Sequence, residues 1–300
     1  MTIEEQIVTK IEAGLTPTFF EIENESHKHA GPSTTSHFRL VIVSTAFEGT
    51  RLIARHRKVN ALLADELANH IHALAFAANS LGLQSVGFIR GEWTDDNQTL
   101  TDAKAWGMQL ISLSREEYRL KNDIGFLDEL KKQFPQALWI PEGGSNSAAL
   151  QGVTELMGLI EQQLPDLDVL VAACGTGGTL AGLIAGANST SAILGVPVLK
   201  GAAFLKKDIE QLLADADLSP GCAWGLDLDG HYGGYGKVKA EQKEHMRQLE
   251  AQYEILLEPV YTAKMWRRFD ELVASGHFAK GTKVALLHSG GLQGRRGFNL

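Results

Sequence analysis

Cysteine is nearly absent: Cys174 and Cys222 are the two among 300 residues. Their spacing fits no metal motif and two thiols make no disulfide framework, so a reducing cytoplasm is the expected setting. No uninterrupted apolar run approaches the roughly 18 residues that a membrane-crossing helix needs. The opening stretch, MTIEEQIVTKIEAGL, carries acids near its start and no apolar core, and does not read as a secretory signal. Long structureless linkers, low-complexity tracts and internal repeats are missing too.

What is present suits a soluble globular chain of one large or two unequal domains: 44% of residues are hydrophobic and 21% charged. The net charge of −8 argues against broad nucleic-acid binding. The charge is uneven, residues 1–70 carrying −2 of it. Within them, RLIARHRK (Arg51 to Lys58) packs four basic residues into eight. That pattern could serve as a patch for nucleic acid or an acidic partner, but a solvated helix face is the preferred reading.

The first seventy residues read α-β-β-α. Residues 2–14 have helical character, with Thr2 and Glu5 in capping-box spacing. TPTFFEIENES reads as a strand, HKHAGPSTTS as a loop and HFRLVIVSTAF as a second strand. Between residues 48 and 71, Leu52, Val59, Leu62, Leu63 and Leu67 recur at helical steps. Beyond residue 70 the rhythm alternates. HALAFAANSLG predicts a helix and QSVGFIRG a strand. LISLS is a short strand and DIGFLDELKKQF a helix. ALWIPEGGSN reads as a strand running into a glycine turn, and SAALQGVTELMGLIEQQL as a helix. SAILGVPVL and KVALLHSGG are further strands, the last ending in a glycine turn. Such alternation implies a mostly parallel sheet covered on both faces.

DVLVAACGTGGTLAGLIAGA is the most informative stretch, a strand, a glycine loop and a helix in succession. Gly175, Gly177 and Gly178 allow a tight turn, Thr176 and Thr179 supply hydroxyls, and the helix start offers free N–H groups and its positive dipole end. A phosphate fits there without a side-chain cation. A glycine-rich turn without a ligand is the plainer alternative. A dinucleotide site would need a third glycine where Leu180 stands and an acid about 20 residues on, and a Walker loop would need a lysine where Thr179 stands.

Five segments occur in order: PEGGSN (141–146), CGTGGTLAGL (174–183), GGYG (233–236), EPVYTAK (258–264) and HSGGLQG (288–294). Together they resemble the pyridoxal-phosphate-dependent D-cysteine desulfhydrase and 1-aminocyclopropane-1-carboxylate deaminase family, over about residues 68–300. The resemblance implies two α/β domains of pyridoxal-phosphate fold type II (tryptophan synthase β-like). It implies that Gly175, Thr176, Gly177, Gly178 and Thr179 hold the cofactor phosphate. Asn69 would reach the pyridine hydroxyl and Ser289 the ring nitrogen, where a neutral hydroxyl makes a weaker electron sink than a carboxylate. Tyr235 and Tyr261 would face a small amino-acid substrate. Taken singly, each tyrosine also reads as a half-buried packing residue. Thr262 stands where the deaminases carry Glu, which favours the desulfhydrase branch.

These enzymes need a lysine that forms a Schiff base with the cofactor, carried in a GNK-type motif well before Asn69. That motif is missing here, and Ala68 replaces the serine that precedes the asparagine. Lys58 is too close to Asn69 to match the family spacing. The resemblance therefore implies pyridoxal phosphate bound non-covalently at most, with catalysis impaired.

In place of the missing segment stands FFEIENESHKHAGP…SHFRLVIVSTAFEGTRLIARHRKVNALLADELANHIHALA, which resembles the BolA family over about residues 1–75. Those are small α-β-β-α-β modules, similar to KH domains, that work with monothiol glutaredoxins on iron–sulfur clusters and have been viewed as transcription regulators. The resemblance makes His56 a metal or cluster ligand, with His29 or His37 as a second. Six histidines before residue 73 also read as surface and packing use. HIHALA would be the third strand of one fold and a helix of the other, and it cannot be both, because side chains alternate with period 2 in a strand and 3.6 in a helix. The pattern downstream favours helix. The expected organisation is a truncated α+β BolA-like module over residues 1–69. A pyridoxal-phosphate fold lacking its N-terminal segment follows over residues 70–300. A glutaredoxin partner and a homodimer are the associations that this reading leaves room for.

Overall fold

The computed structural model describes residue 8 and residues 11–13, 15–24, 38–47, 70–93, 97–188, 190–298 and 300. The chain forms two compact units, residues 1–128 with 291–297 and residues 129–290 with 298–300.

In the first unit, β1 (Phe19–Asn24) pairs antiparallel with β2 (Phe38–Val43), Phe19 opposite Val43 and Asn24 opposite Phe38. Alternation decides its two faces: Phe20, Ile22 and Ile42 pack on a small cluster of Ile11, Leu15 and Phe47, while Phe19 and Val43 are each 51% exposed. The second strand stops earlier than expected. Ser44 donates its hydroxyl to the Leu15 carbonyl (2.5 Å) and accepts the Ala46 N–H (3.0 Å), turning Thr45–Phe47 into a short 3₁₀ segment.

The disputed HIHALA segment is helical, as its downstream pattern implies: α1 spans His70–Ser80. It leads to β3 (Ser85–Arg90), α2 (Gln98–Ala105) and β4 (Met108–Leu113), which lies parallel to β3. A helix that the periodicity did not reveal follows, α3 (Arg115–Arg119). It is held by a capping box in which Ser114 accepts the Glu117 N–H and Glu117 accepts the Ser114 N–H. Next comes α4 (Ile124–Gln133).

The expected strand over ALWI is not formed. Residues 137–141 are irregular, with Leu138 86% exposed. A strand is defined by the backbone it pairs with, and no described strand takes this segment as a partner.

The second unit holds the main core. A turn at Glu142–Gly144 leads to α5 (Ser147–Gln163), β5 (Val169–Cys174), α6 (Gly178–Gly186) and β6 (Ala192–Pro197). Then follow α7 (Leu205–Asp215), β7 (Ala223–Leu226), α8 (Ala240–Tyr253), α9 (Thr262–Ala274) and β8 (Val284–Leu287). The four strands form one parallel sheet in the order β7-β6-β5-β8. Both faces are covered, so β5 is apolar throughout. Leu170, Ala172 and Cys174 point into a cluster with Leu180, Leu183, Ile184 and Ile209, and Val171 points the other way, onto Met265 and Val196. Because all four strands run the same way, β5, β6 and β8 end on a common edge, where parallel α/β sheets bind their ligands.

Candidate active site

At the end of β5 the chain must leave the sheet and start α6 within three residues. Gly177 does this with φ +93°, a left-handed turn, and a Cβ there would come within 2.8 Å of Ile209. A Cβ on Gly178 would lie 2.5 Å from Ser145 Oγ and 3.1 Å from Ser145 Cα, so only glycine permits this approach. No side chain caps α6. The first N–H groups of a helix have no acceptor within it, so this end presents free donors and the positive end of the helix dipole. That arrangement suits a phosphate, and the phosphate end of pyridoxal phosphate fits it. Cys174 beside it is no nucleophile: burial pushes its thiol up to about 12, against a smaller opposing contribution from the Gly177 N–H.

A second loop braces the first. Gly143 and Gly144 take φ +76° and +68°, and Gly143 sits so close to Thr176 that a Cβ would overlap its side chain. Ser145 and Thr176 share a hydroxyl–hydroxyl bond of 2.7 Å. Asn146 then caps α5 by accepting the Ala149 N–H at 2.9 Å. Thr176 is exposed and Thr179 half-buried. Thr176 thus spends part of its hydrogen-bonding capacity on the neighbouring loop.

The two tyrosines come together. Tyr261 packs its ring against Gly175, where a Cβ would lie 3.2 Å from the phenol oxygen. Tyr235, 60% exposed, meets it edge-on with ring centroids 6.0 Å apart. Burial, then the neighbouring Tyr235, raise the Tyr261 pKa, so its phenol keeps its proton and can donate it in a hydrogen bond. Buried Glu258 holds the segment in place by accepting the N–H groups of Val260 (2.9 Å) and Tyr261 (2.5 Å). Burial raises the Glu258 pKa and those N–H bonds oppose the shift. Thr262 is fully buried, its hydroxyl accepting the Glu258 N–H (2.7 Å) and donating to the Glu258 carbonyl (3.1 Å). It completes the turn that starts α9 and presents no acid.

Ser289 is exposed, two residues past the end of β8. Its loop is anchored by His288, whose Nε2 donates to the Leu256 carbonyl (2.8 Å) while Nδ1 accepts the Gly290 N–H (3.2 Å). The second unit thus gathers Gly175 to Thr179, Tyr235, Tyr261 and Ser289. Asn69, Lys58, His29, His37 and His56 lie outside the described residues. Among the described residues no group of His, Cys, Asp and Glu could hold a metal ion, and no helix is long and apolar enough to cross a membrane. Single-residue reasoning missed Ser145, Glu258 and Lys264. The first two stand in segments whose glycines and proline marked them as turns, whereas nothing in the sequence signals burial of Lys264.

Known proteins divide along the chain in the same way. The family of BolA-like proteins matches residues 11–81. The DNA-binding transcriptional regulator BolA of Vibrio cholerae is 50% identical over 97 residues, which is 32% of this chain and 83% of that protein. A 1-aminocyclopropane-1-carboxylate deaminase, so named on a provisional basis, from Pyrococcus horikoshii is 28% identical over 236 residues, 76% of this chain and 72% of its own length. The crystal structure of an ACC deaminase homologue superposes with a TM-score of 0.64 at 23% identity, covering 98% of this chain and 97% of that one. The larger part has the pyridoxal-phosphate fold type II without its N-terminal segment and resembles the ACC deaminase-like proteins, and through residues 11–81 the chain belongs to the BolA family.

Proposed function

We propose that the larger part, residues 70–300, is a D-cysteine desulfhydrase- or ACC deaminase-like protein that retains a phosphate site for pyridoxal phosphate and has lost efficient turnover. The reading rests above all on the uncapped start of α6, braced by Ser145 through Thr176. Gly175 to Thr179 would hold the phosphate, Asn69 the pyridine hydroxyl and Ser289 the ring nitrogen. The bound cofactor would supply an electron sink for breaking bonds at the α- and β-carbons of a small amino acid such as D-cysteine. Tyr261, kept protonated by burial, would donate a hydrogen bond to the substrate, and Tyr235 would line the approach. Thr262 in place of an acid supports the desulfhydrase branch. No GNK-type lysine is present to tether the cofactor and abstract the α-proton. In a cytoplasmic setting the products of full turnover would be pyruvate, ammonia and sulfide.

The test uses the full chain. Equilibrium dialysis should show pyridoxal phosphate retained and displaced by inorganic phosphate, with sulfide release from D-cysteine at the no-enzyme rate. Absence of phosphate-competed binding would sink the retained-site reading, and brisk sulfide release would sink the loss of turnover.

The BolA match supports a second reading, in which residues 1–69 act as a partner of a monothiol glutaredoxin on an iron–sulfur cluster and the larger part is a passenger. His56 would be the ligand. Adding the protein to a cluster-loaded glutaredoxin should alter its visible spectrum, and H56A should abolish the change. A DNA-regulator role, which the name of the Vibrio relative carries, is opposed by the net charge of −8. Sedimentation of the full chain decides whether a homodimer accompanies either role.

A further inference from the structure

Among the described residues Lys264 is the largest fully buried side chain, 2% exposed, in a unit where an amine is the group most missed. Its hydrogen bonds show what it does. The Nζ donates to the carbonyls of Gly234 (2.8 Å) and His231 (3.1 Å), thirty or more residues earlier in the chain. Those carbonyls belong to the HYGGYG loop, His231 to Gly236, which forms no regular structure of its own. Gly233 and Gly234 have φ +100° and +107°, and Tyr232 is held at φ +45°. Left to itself, such a loop has a wide choice of conformations. The bond from the Gly233 N–H to His231 Nδ1, at 3.0 Å, is purely local. Lys264 supplies long-range hydrogen bonds to the loop as far as Gly234, beside Tyr235, while the Arg267 guanidinium, 4.5 Å from the Tyr232 ring centroid, ties its start to α9 as well. Lys264 sits on the first turn of α9, three residues past Tyr261, and the buried Glu258 that fixes Tyr261 also attracts its charge. Burial lowers the Lys264 pKa and Glu258 opposes that shift.

We propose that Lys264 is a positioning residue: its buried amine clamps the His231–Gly236 loop to α9 and so sets Tyr235 against Tyr261 beside the glycine loop. This deepens the reading that both tyrosines face the substrate and rests on it. The clamp also explains why a buried lysine in this unit does not replace the missing tether. An amine that attacks an aldehyde needs its lone pair free and its end mobile, and the Lys264 Nζ is committed to two carbonyls.

The test labels the full chain with 3-fluorotyrosine and assigns the Tyr235 and Tyr261 resonances from Y235F and Y261F. In the parent, Y235F shifts the Tyr261 resonance, because the rings touch. In K264M the Y235F shift is lost, and proteolytic cleavage between residues 231 and 237 speeds up about tenfold as the loop is released. K264Q, shorter and able to donate, serves if K264M does not fold, with the same loss of coupling expected. A role in fold stability alone would lower the melting temperature yet leave the Y235F shift intact, which would overturn the proposal. Borohydride reduction with pyridoxal phosphate that labels Lys264 would overturn it too. Pyridoxal phosphate binding by the parent is read separately. If the tyrosine coupling depends on Lys264 but the parent does not bind the cofactor, the clamp stands and the cofactor reading falls.

Discussion

The two units are stabilised in different ways. Among the described residues, the first has two sheets of two strands each, and its hairpin packs on a cluster of Ile11, Leu15 and Phe47. The second has a four-stranded parallel sheet whose central strands are covered on one face by a much larger cluster and on the other by one around Val171, Val196 and Met265. A two-stranded sheet is marginal alone, whereas three or more strands with a covered face support themselves. The cradle, the tyrosine pair and Ser289 all sit on the second unit. Site geometry is therefore expected where the core is rigid enough to hold it.

The sharpest break in that comparison is a core truncation. Ile184 is fully buried, and I184A should cost about 2–5 kcal/mol in the denaturant transition of the second unit. I11A, at an equally buried site of the small cluster, should leave that transition where it is. Equal shifts from both substitutions would show that the two regions unfold as one. A glycine substitution comes next. G178A forces a methyl against Ser145, costing about 1–3 kcal/mol and weakening pyridoxal phosphate binding about tenfold, read by calorimetry and dialysis. Unchanged affinity would place the cofactor phosphate elsewhere.

Two caps allow a smaller, matched comparison. Asn97 caps α2 by accepting the Leu100 N–H at 3.3 Å, and Asn146 caps α5 by accepting the Ala149 N–H at 2.9 Å. Each Asn→Ala change should cost about 1 kcal/mol in its own unit. Only N146A should also loosen cofactor binding, because it adjoins Ser145. The smallest expected effect concerns Cys174, which should resist thiol reagents at pH 8 in the folded protein. With its pKa pushed up to about 12 by burial, the thiol holds almost no thiolate at pH 8, so reactivity should appear only on unfolding.

The same contrast decides what could be read in advance. Strands β5 and β6 were legible because burial on both faces leaves an almost continuous apolar run, and the glycine loop because only a tight turn uses three glycines in four positions. ALWI looked similar but lacks a strand to pair with, which composition cannot report. The capping box Ser114 to Glu117 is visible in the sequence, but a five-residue helix is too short to carry the periodicity that would mark it as one. HIHALA was settled by the helical spacing of its downstream neighbours rather than by its own residues. Lys264 stayed hidden because its partners are carbonyls of residues 231 and 234, and a backbone acceptor leaves no mark in sequence.

The central claim is that the phosphate cradle has outlived the amine that once tethered its ligand. Incubating the full chain with pyridoxal phosphate, reducing with borohydride and weighing the intact protein tests it most directly. The account predicts phosphate-competed binding before reduction and no stoichiometric single-site adduct after it. One cofactor mass added per chain, mapped to a single lysine, would contradict it.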